Sequence, residues 1–160
     1  FDLIKNSGDA FNLKLVGARA QNWLRLEKSY RAFGTELGRD ATPFESGVSR
    51  FIDLSKNFLG KDGVERDSDV TCVTLLIDGP KDADPWGREA IYHDSEKIGR
   101  LTSGGFSVVF NKSIGMGYVN KKYADIGTKL KVKILNSLWE CEIVEDSPYD
   151  PSNANIRVDG

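Results

Sequence analysis

Strict alternation of apolar and charged residues is the clearest pattern in the chain. Over 129–134 the sequence reads KLKVKI, which sends Leu130, Val132 and Ile134 to one face and three lysines to the other. Asn136 and Ser137 supply a turn, and Trp139, Cys141 and Ile143 alternate on the way back, predicting a β-hairpin. Upstream, 70–77 is a β-branched run, 90–92 and 98–102 are strand-like around a turn at 93–97, and 114–119 is a further strand. The stretch 79–87 (GPKDADPWG) has no period and two prolines, and reads as a long turn. At Ser103, Gly104 and Gly105 a backbone bend is expected, because two of these positions have no Cβ. Five or six short strands over about ninety residues predict a small antiparallel barrel or sandwich.

The first part of the chain has a different rhythm. Residues 1–5 read as the last turns of a helix stopped at Asn6 and Ser7, with Gly8 as a left-handed cap. Phe11, Leu13 and Leu15 alternate with polar residues, which predicts a strand. A helix is predicted over 18–30. Ala20, Trp23, Leu24 and Glu27 share one side, Leu26 and Tyr30 adjoin it, and Gln21, Arg25 and Lys28 face away. Glu27 and Arg31 stand four apart and are expected to pair on the surface. A polar loop follows, Pro43 is placed to open a short helix over 44–48, and 61–68 (KDGVERDS) reads as a linker. The class expected is α+β, a helical and mixed segment followed by the β part.

Charge changes the functional picture more than it changes the fold. The 22 basic and 24 acidic residues are well mixed and leave a net charge of −2, so no basic patch argues for nucleic acid as a partner. The longest apolar runs are too short to cross a bilayer, and no membrane partner is expected. Cys72 and Cys141 lie in strand-like runs; a disulfide is open, but buried free thiols in a reducing compartment are the expectation. The chain opens at Phe1 and its one methionine is Met116, so a longer polypeptide is expected to extend upstream.

Local chemistry is sparse. The single histidine, His93, falls in a predicted turn, and two distant cysteines with one histidine lack the spacing of a zinc site. Asp146 and Asp150 flank a Pro-Tyr turn and read as its caps. GRLTSGG at 99–105 has no phosphate-loop lysine followed by Ser or Thr. Trp86 reads as a plug for a barrel mouth or as a stacking platform, with the plug preferred. Arg19 stands apart: Gly17, Ala18 and Ala20 leave room beside it, and guanidinium is the natural partner of a carboxylate. On local grounds a structural ion pair and a ligand contact are equally open for it.

Seven segments in order then resemble one family. GARAQNWLRLEKSYRAFG at 17–34 is similar to the G-x-R-x-x-x-x-L-R-L-E segment of the glycine-cleavage T-protein (aminomethyltransferase) family. TPFESG at 42–47 resembles its T-P-x-E-A-G, and FLGK at 58–61 its F-I-G-K/R. GRLTSGG and SIGMGYV (113–119) resemble G-x-V-T-S-G-G and S-I-A-M-G-Y-V; Gly127-Thr128 and SPYDP (147–151) match the last two. EKSYRAFG at 27–34 and the loop DADPWG at 82–87 look most like the branch fused to sarcosine and dimethylglycine dehydrogenases.

The resemblance implies residues 1–66 as the C-terminal remnant of a folate-binding domain and 67–160 as the family's C-terminal β-barrel. It implies transfer of a one-carbon unit from a small amine to tetrahydrofolate, with FAD confined to an upstream domain. The catalytic carboxylate and most pterin contacts would lie in an upstream half of the same polypeptide, so the 160 residues alone are expected to be inactive. Of the family's binding residues, the resemblance carries over Arg19 and, less directly, Tyr149. Arg25, Glu27 and Gly34 match the motif in structural roles. A cytoplasmic location is implied, or the mitochondrial matrix in a eukaryote. The alternatives are a free aminomethyltransferase or related folate-dependent demethylase, and a non-catalytic scaffold or interaction barrel.

Overall fold

The computed structural model describes residues 1–64, 68–80, 82–155 and 157. Two helices, α1 (Asp2–Gly8) and α2 (Ala18–Glu27), precede six strands: β1 (Val70–Ile77), β2 (Ala90–His93), β3 (Glu96–Ser107), β4 (Lys112–Asn120), β5 (Lys129–Ile134) and β6 (Ser137–Val144). The strands close into an antiparallel barrel in the order β1-β4-β3-β2-β5-β6, with β6 returning to β1. Closure removes both sheet edges, which a six-stranded open sheet would have left unpaired.

Side-chain patterning explains the layout. In β5 the burial alternates strictly: Leu130, Val132 and Ile134 point into the barrel and its lysines remain outside. In β1 four successive residues, Cys72, Val73, Thr74 and Leu75, are buried. Two-sided burial means that something covers the outer face as well. Val73, Leu75 and Ile77 fill the barrel with Ile91, Leu101, Val119 and Ile143. Leu26 of α2 joins Cys72, Ile114 and Met116 in a second cluster on the outside. Helix α2 is therefore a covering layer on β3 and β4, with Leu26 near its end clustered with Cys72 of β1.

The β-rich part follows the sequence pattern closely. The last hairpin turns at Leu135-Asn136, one residue earlier than read, with Leu135 at φ 52°. Ser103 to Gly105 do not end a strand: β3 runs through them with a register shift between Leu101 and Ser103. That is a bulge, which increases local twist without breaking the ladder.

The first segment departs further. Gly8 is right-handed (φ −77°), and the left-handed cap is Asn12 at φ 56°. Phe11, Leu13 and Leu15 form no strand and are exposed; alternation alone gives no ladder without a partner strand. Residues 43–47 form turns, and no helix forms over 44–48. Thr42 and Glu45 nonetheless make a reciprocal capping box: Glu45 N–H donates to Thr42 Oγ1, and Thr42 N–H to the Glu45 carboxylate.

Helix α2 stops at Glu27, three residues short of the expected end, because Ser29 takes a positive φ of 52°. Its orientation also differs. Leu24 is 57% exposed and Lys28 is buried. Lys28 Nζ donates to Asp150 O (2.5 Å) and Asn153 Oδ1 (2.7 Å), which ties the 150–153 segment to the end of α2. Glu27 is buried and accepts from Ser107 Oγ (2.5 Å), while Arg31 pairs with Asp146 (2.7 Å), so the expected Glu27–Arg31 surface pair does not form. Asp146 also accepts from Thr74 Oγ1, and Asp150 accepts from the N–H groups of Ala154 and Asn155. Neither carboxylate caps the Pro-Tyr turn as expected. Of the linker at 61–68, residues 61–63 form a short 3-10 turn and 65–67 lie outside the described residues, as does residue 81 of the long turn.

Candidate ligand site

The site grows from the start of α2. Gly17 is the extended N-cap, so Arg19 occupies the first turn and Trp23 stands four residues on, above the same face. The Arg19 Cζ lies 5.7 Å from the Trp23 ring centroid and 4.8 Å from that of Trp86, so two indoles flank the guanidinium. Nη2 donates to Asp84 Oδ2 at 2.7 Å. Half of the Arg19 side chain remains open to solvent.

Two glycines allow this packing. A Cβ on Gly105 would come within 2.4 Å of Trp23 Cδ1, and one on Gly104 within 2.8 Å of both Pro85 Cβ and the Pro85 carbonyl. The TSGG stretch is therefore a flat seat on β3, with the indole of α2 on one glycine and the 79–87 turn on the other. Trp86 itself is 73% exposed and does not plug the barrel. Its backbone N–H and that of Gly87 each donate to the Glu89 carboxylate (2.8 Å), which fixes the turn beside Arg19.

Clefts open on both sides of the Arg19–Trp86 contact. One of about 280 Å³ is lined by Arg19, Asn22, Trp23, Pro85 and Gly104. Another of about 440 Å³ is lined by Arg19, Asp84, Trp86, Glu89 and Leu135. A half-open guanidinium between aromatic walls suits a carboxylate attached to a flat ring.

Behind α2 sits a buried carboxylate that sequence reading passed over. Glu36 Oε2 accepts from Arg25 Nη1 (2.9 Å), Ala32 N–H (3.1 Å) and Thr35 Oγ1 (2.7 Å). Its Oε1 accepts from Thr102 Oγ1 (2.6 Å) and from Ser103 Oγ. Burial alone would raise its pKa, but the donors Ser103, Thr102, Thr35 and Ala32 outweigh it and hold the carboxyl below its ordinary value of 4.5. Arg25 also donates to Asn22 Oδ1 and the Tyr30 carbonyl, so it links α2 to the loop and β3, the structural role implied by its motif.

Tyr149 does not meet Arg19. Its N–H donates to the Glu27 carbonyl at the far end of α2. Arg19 and Glu27 are eight residues apart, about 12 Å along a helix axis. His93 stacks on Tyr123 with centroids 4.4 Å apart, away from these clefts' lining residues. Both cysteines are free and buried, and burial pushes each thiol up to about 12. No group of three or more metal-binding side chains forms among the described residues, and no helix there is long and apolar enough to cross a membrane. Of the site, the sequence pointed to Arg19; Trp23 carried a usable signal in its spacing of four, whereas Asp84 and Glu36 come from loops with no period.

Two family models match. The glycine cleavage T-protein C-terminal barrel domain covers residues 71–150, and the GCVT N-terminal domain covers residues 1–56. The mitochondrial dimethylglycine dehydrogenase of Rattus norvegicus is 31% identical over 170 residues, spanning all of this chain and 20% of that protein. An aminomethyltransferase of Caldanaerobacter subterraneus subsp. tengcongensis is 32% identical over 152 residues, 93% of this chain and 41% of the relative. The chain thus spans between a fifth and two fifths of these relatives' length. A crystal structure of the glycine cleavage system aminomethyltransferase T from Bartonella henselae superposes with a TM-score of 0.81 at 19% identity, over 94% of this chain and 44% of that one, which is a likeness of fold. With the N-terminal-domain match and the barrel match following one another along its length, the chain belongs to the glycine cleavage T-protein family.

Proposed function

We propose that this chain is the C-terminal, folate-associated part of an enzyme that transfers a one-carbon unit from a small amine to tetrahydrofolate, in the FAD-linked sarcosine and dimethylglycine dehydrogenase branch. The observation that carries it is the half-open Arg19 guanidinium between Trp23 and Trp86, which offers a charged anchor and flat apolar walls in one place. Tetrahydrofolate, when bound, supplies the nitrogen that accepts the one-carbon unit. Arg19 would hold a carboxylate of the folate or of the amine substrate, and the indoles would exclude water from its flank. Tyr149 would meet only a ligand that runs the length of α2. The flavin of that architecture would sit in a domain outside these 160 residues, and no residue here is assigned to it.

On this reading residues 1–66 complete a folate-binding domain and 67–160 are its barrel. The exposed Phe1, Leu3, Ile4, Phe11, Leu15 and Val16 would pack against the upstream half of the same polypeptide. A free aminomethyltransferase remains the second reading, since an aminomethyltransferase matches at 32% identity beside the dehydrogenase's 31%. Calorimetric titration of the full-length polypeptide with tetrahydrofolate, before and after Arg19→Gln, is the test. Loss of a charged hydrogen bond should weaken binding by about tenfold or more. Unchanged affinity would remove Arg19 from the site.

A further inference from the structure

The guanidinium assigned to a ligand carboxylate already has a carboxylate on it. Asp84 Oδ2 lies 2.7 Å from Arg19 Nη2, and the Asp84 side chain is only 16% exposed while that of Arg19 is 51% exposed. The contact runs through one guanidinium nitrogen, not through the two-pronged fork that makes an arginine–carboxylate pair strong. Asp84 is also held in position. Pro85, next along the chain, sits against Gly104, and the N–H groups of Trp86 and Gly87 are bound by Glu89. The clefts on either side of the turn both reach Arg19. A carboxylate arriving through either one approaches a guanidinium already paired with Asp84, where like charges repel.

We infer that Asp84 is an internal competitor for the ligand site, a specificity-determining residue whose carboxylate takes the ligand carboxylate's place on Arg19. This rests on the proposed ligand role of Arg19. A ligand bearing only a carboxylate exchanges one single-pronged contact for another and gains little. A ligand bearing a carboxylate and a flat ring adds contact with Trp23 and Trp86, and displaces Asp84. The site thereby rejects small carboxylates and admits aromatic ones. An exposed pair of this kind holds its closed state by a small factor, so the ligand's apparent affinity is lowered about two- to sixfold.

The test is a double-mutant cycle on the full-length polypeptide with tetrahydrofolate as titrant, using Asp84→Asn, Arg19→Gln and the two combined. Asp84→Asn should tighten binding about two- to sixfold at low salt, and less at about 0.5 M salt, where exposed pairs are screened. The gain should vanish in the Arg19→Gln background, and should be absent for a pterin that lacks a carboxylate. Asp84→Ser, which keeps a short polar side chain, should reproduce the gain if Asp84→Asn alters the turn. Thermal melts report that each variant is folded. Arg19-dependent binding that Asp84→Asn and Asp84→Ser both leave unchanged or weaken would overturn the competitor and leave the anchor standing. A gain that persists without Arg19 would reduce Asp84 to a general field effect and overturn it as well. Binding that ignores Arg19 altogether would sink the proposed function and this inference together.

Discussion

Replacing Glu36 by glutamine removes a charge and one acceptor from a buried, densely bonded carboxylate. Its side chain is fully buried and paired with Arg25, and its two oxygens take five donors: Arg25, the Ala32 N–H, Thr35, Thr102 and Ser103. An amide keeps one oxygen and turns an NH₂ towards the donors on the other side. At least one buried donor is then left unpaired, at about 1–3 kcal/mol, and the Arg25 guanidinium loses its counter-charge. Breaking a buried pair by removing one partner costs about 3–5 kcal/mol, and Arg25 is 17% exposed, so the lower half of that range applies. The melting temperature of a chain this size should fall by roughly 6–16 °C at neutral pH. Circular dichroism melts of wild type and Glu36→Gln measure it.

The pH dependence of that difference sharpens the test. The Glu36 carboxyl lies below its ordinary value of 4.5 in the fold, so the unfolded chain binds the proton first as pH drops. Its contribution is therefore complete above that ordinary value and is lost as pH falls through the folded one. The gap between wild type and Glu36→Gln should be widest at neutral pH and should narrow below about pH 4.5. A shift of under about 2 °C, or a gap that widens on acidification, would refute the assignment of Glu36 as the joint between α2, the loop and β3.

Gly105→Ala places a methyl group 2.4 Å from Trp23 Cδ1, so the indole must move. Stability should fall by about 1–3 kcal/mol in a denaturant titration, and tetrahydrofolate affinity should fall with it, because Trp23 walls Arg19. Cys72 and Cys141, with thiols pushed up to about 12, carry roughly one thiolate in 10⁴ at pH 8. Neither should react with Ellman's reagent in the folded protein, and both should react at once in denaturant; fast reaction while folded would contradict their burial.

The barrel was legible because each strand carries its own periodicity. KLKVKI alternates since one face of β5 is wet, and β1 is buried on both faces since Leu26 packs with Cys72 on its outer side while Ser29 and Asp146 bond Thr74 there. Where the chain is ordered by single contacts the reading failed. Nothing in the spacing of Lys28 announces that a buried ammonium will hold the carbonyl of Asp150, and helical periodicity alone puts it on the solvent face. Phe11, Leu13 and Leu15 imitate a strand, yet no neighbour pairs with them. Arg19 could be found from its small neighbours, whereas Asp84 and Trp86 are brought to it by an aperiodic turn fixed through Glu89 and Gly104. Side chains that converge from a helix and a loop leave no common period in the sequence.

Amide hydrogen exchange on the full-length polypeptide, with and without tetrahydrofolate, bears most directly on the claim that the start of α2 and the 82–89 turn form one ligand site. Addition of the ligand should slow exchange in peptides covering 18–24 and 84–89, and that protection should be lost in Arg19→Gln. Protection confined to other segments, with these two unchanged, would contradict it.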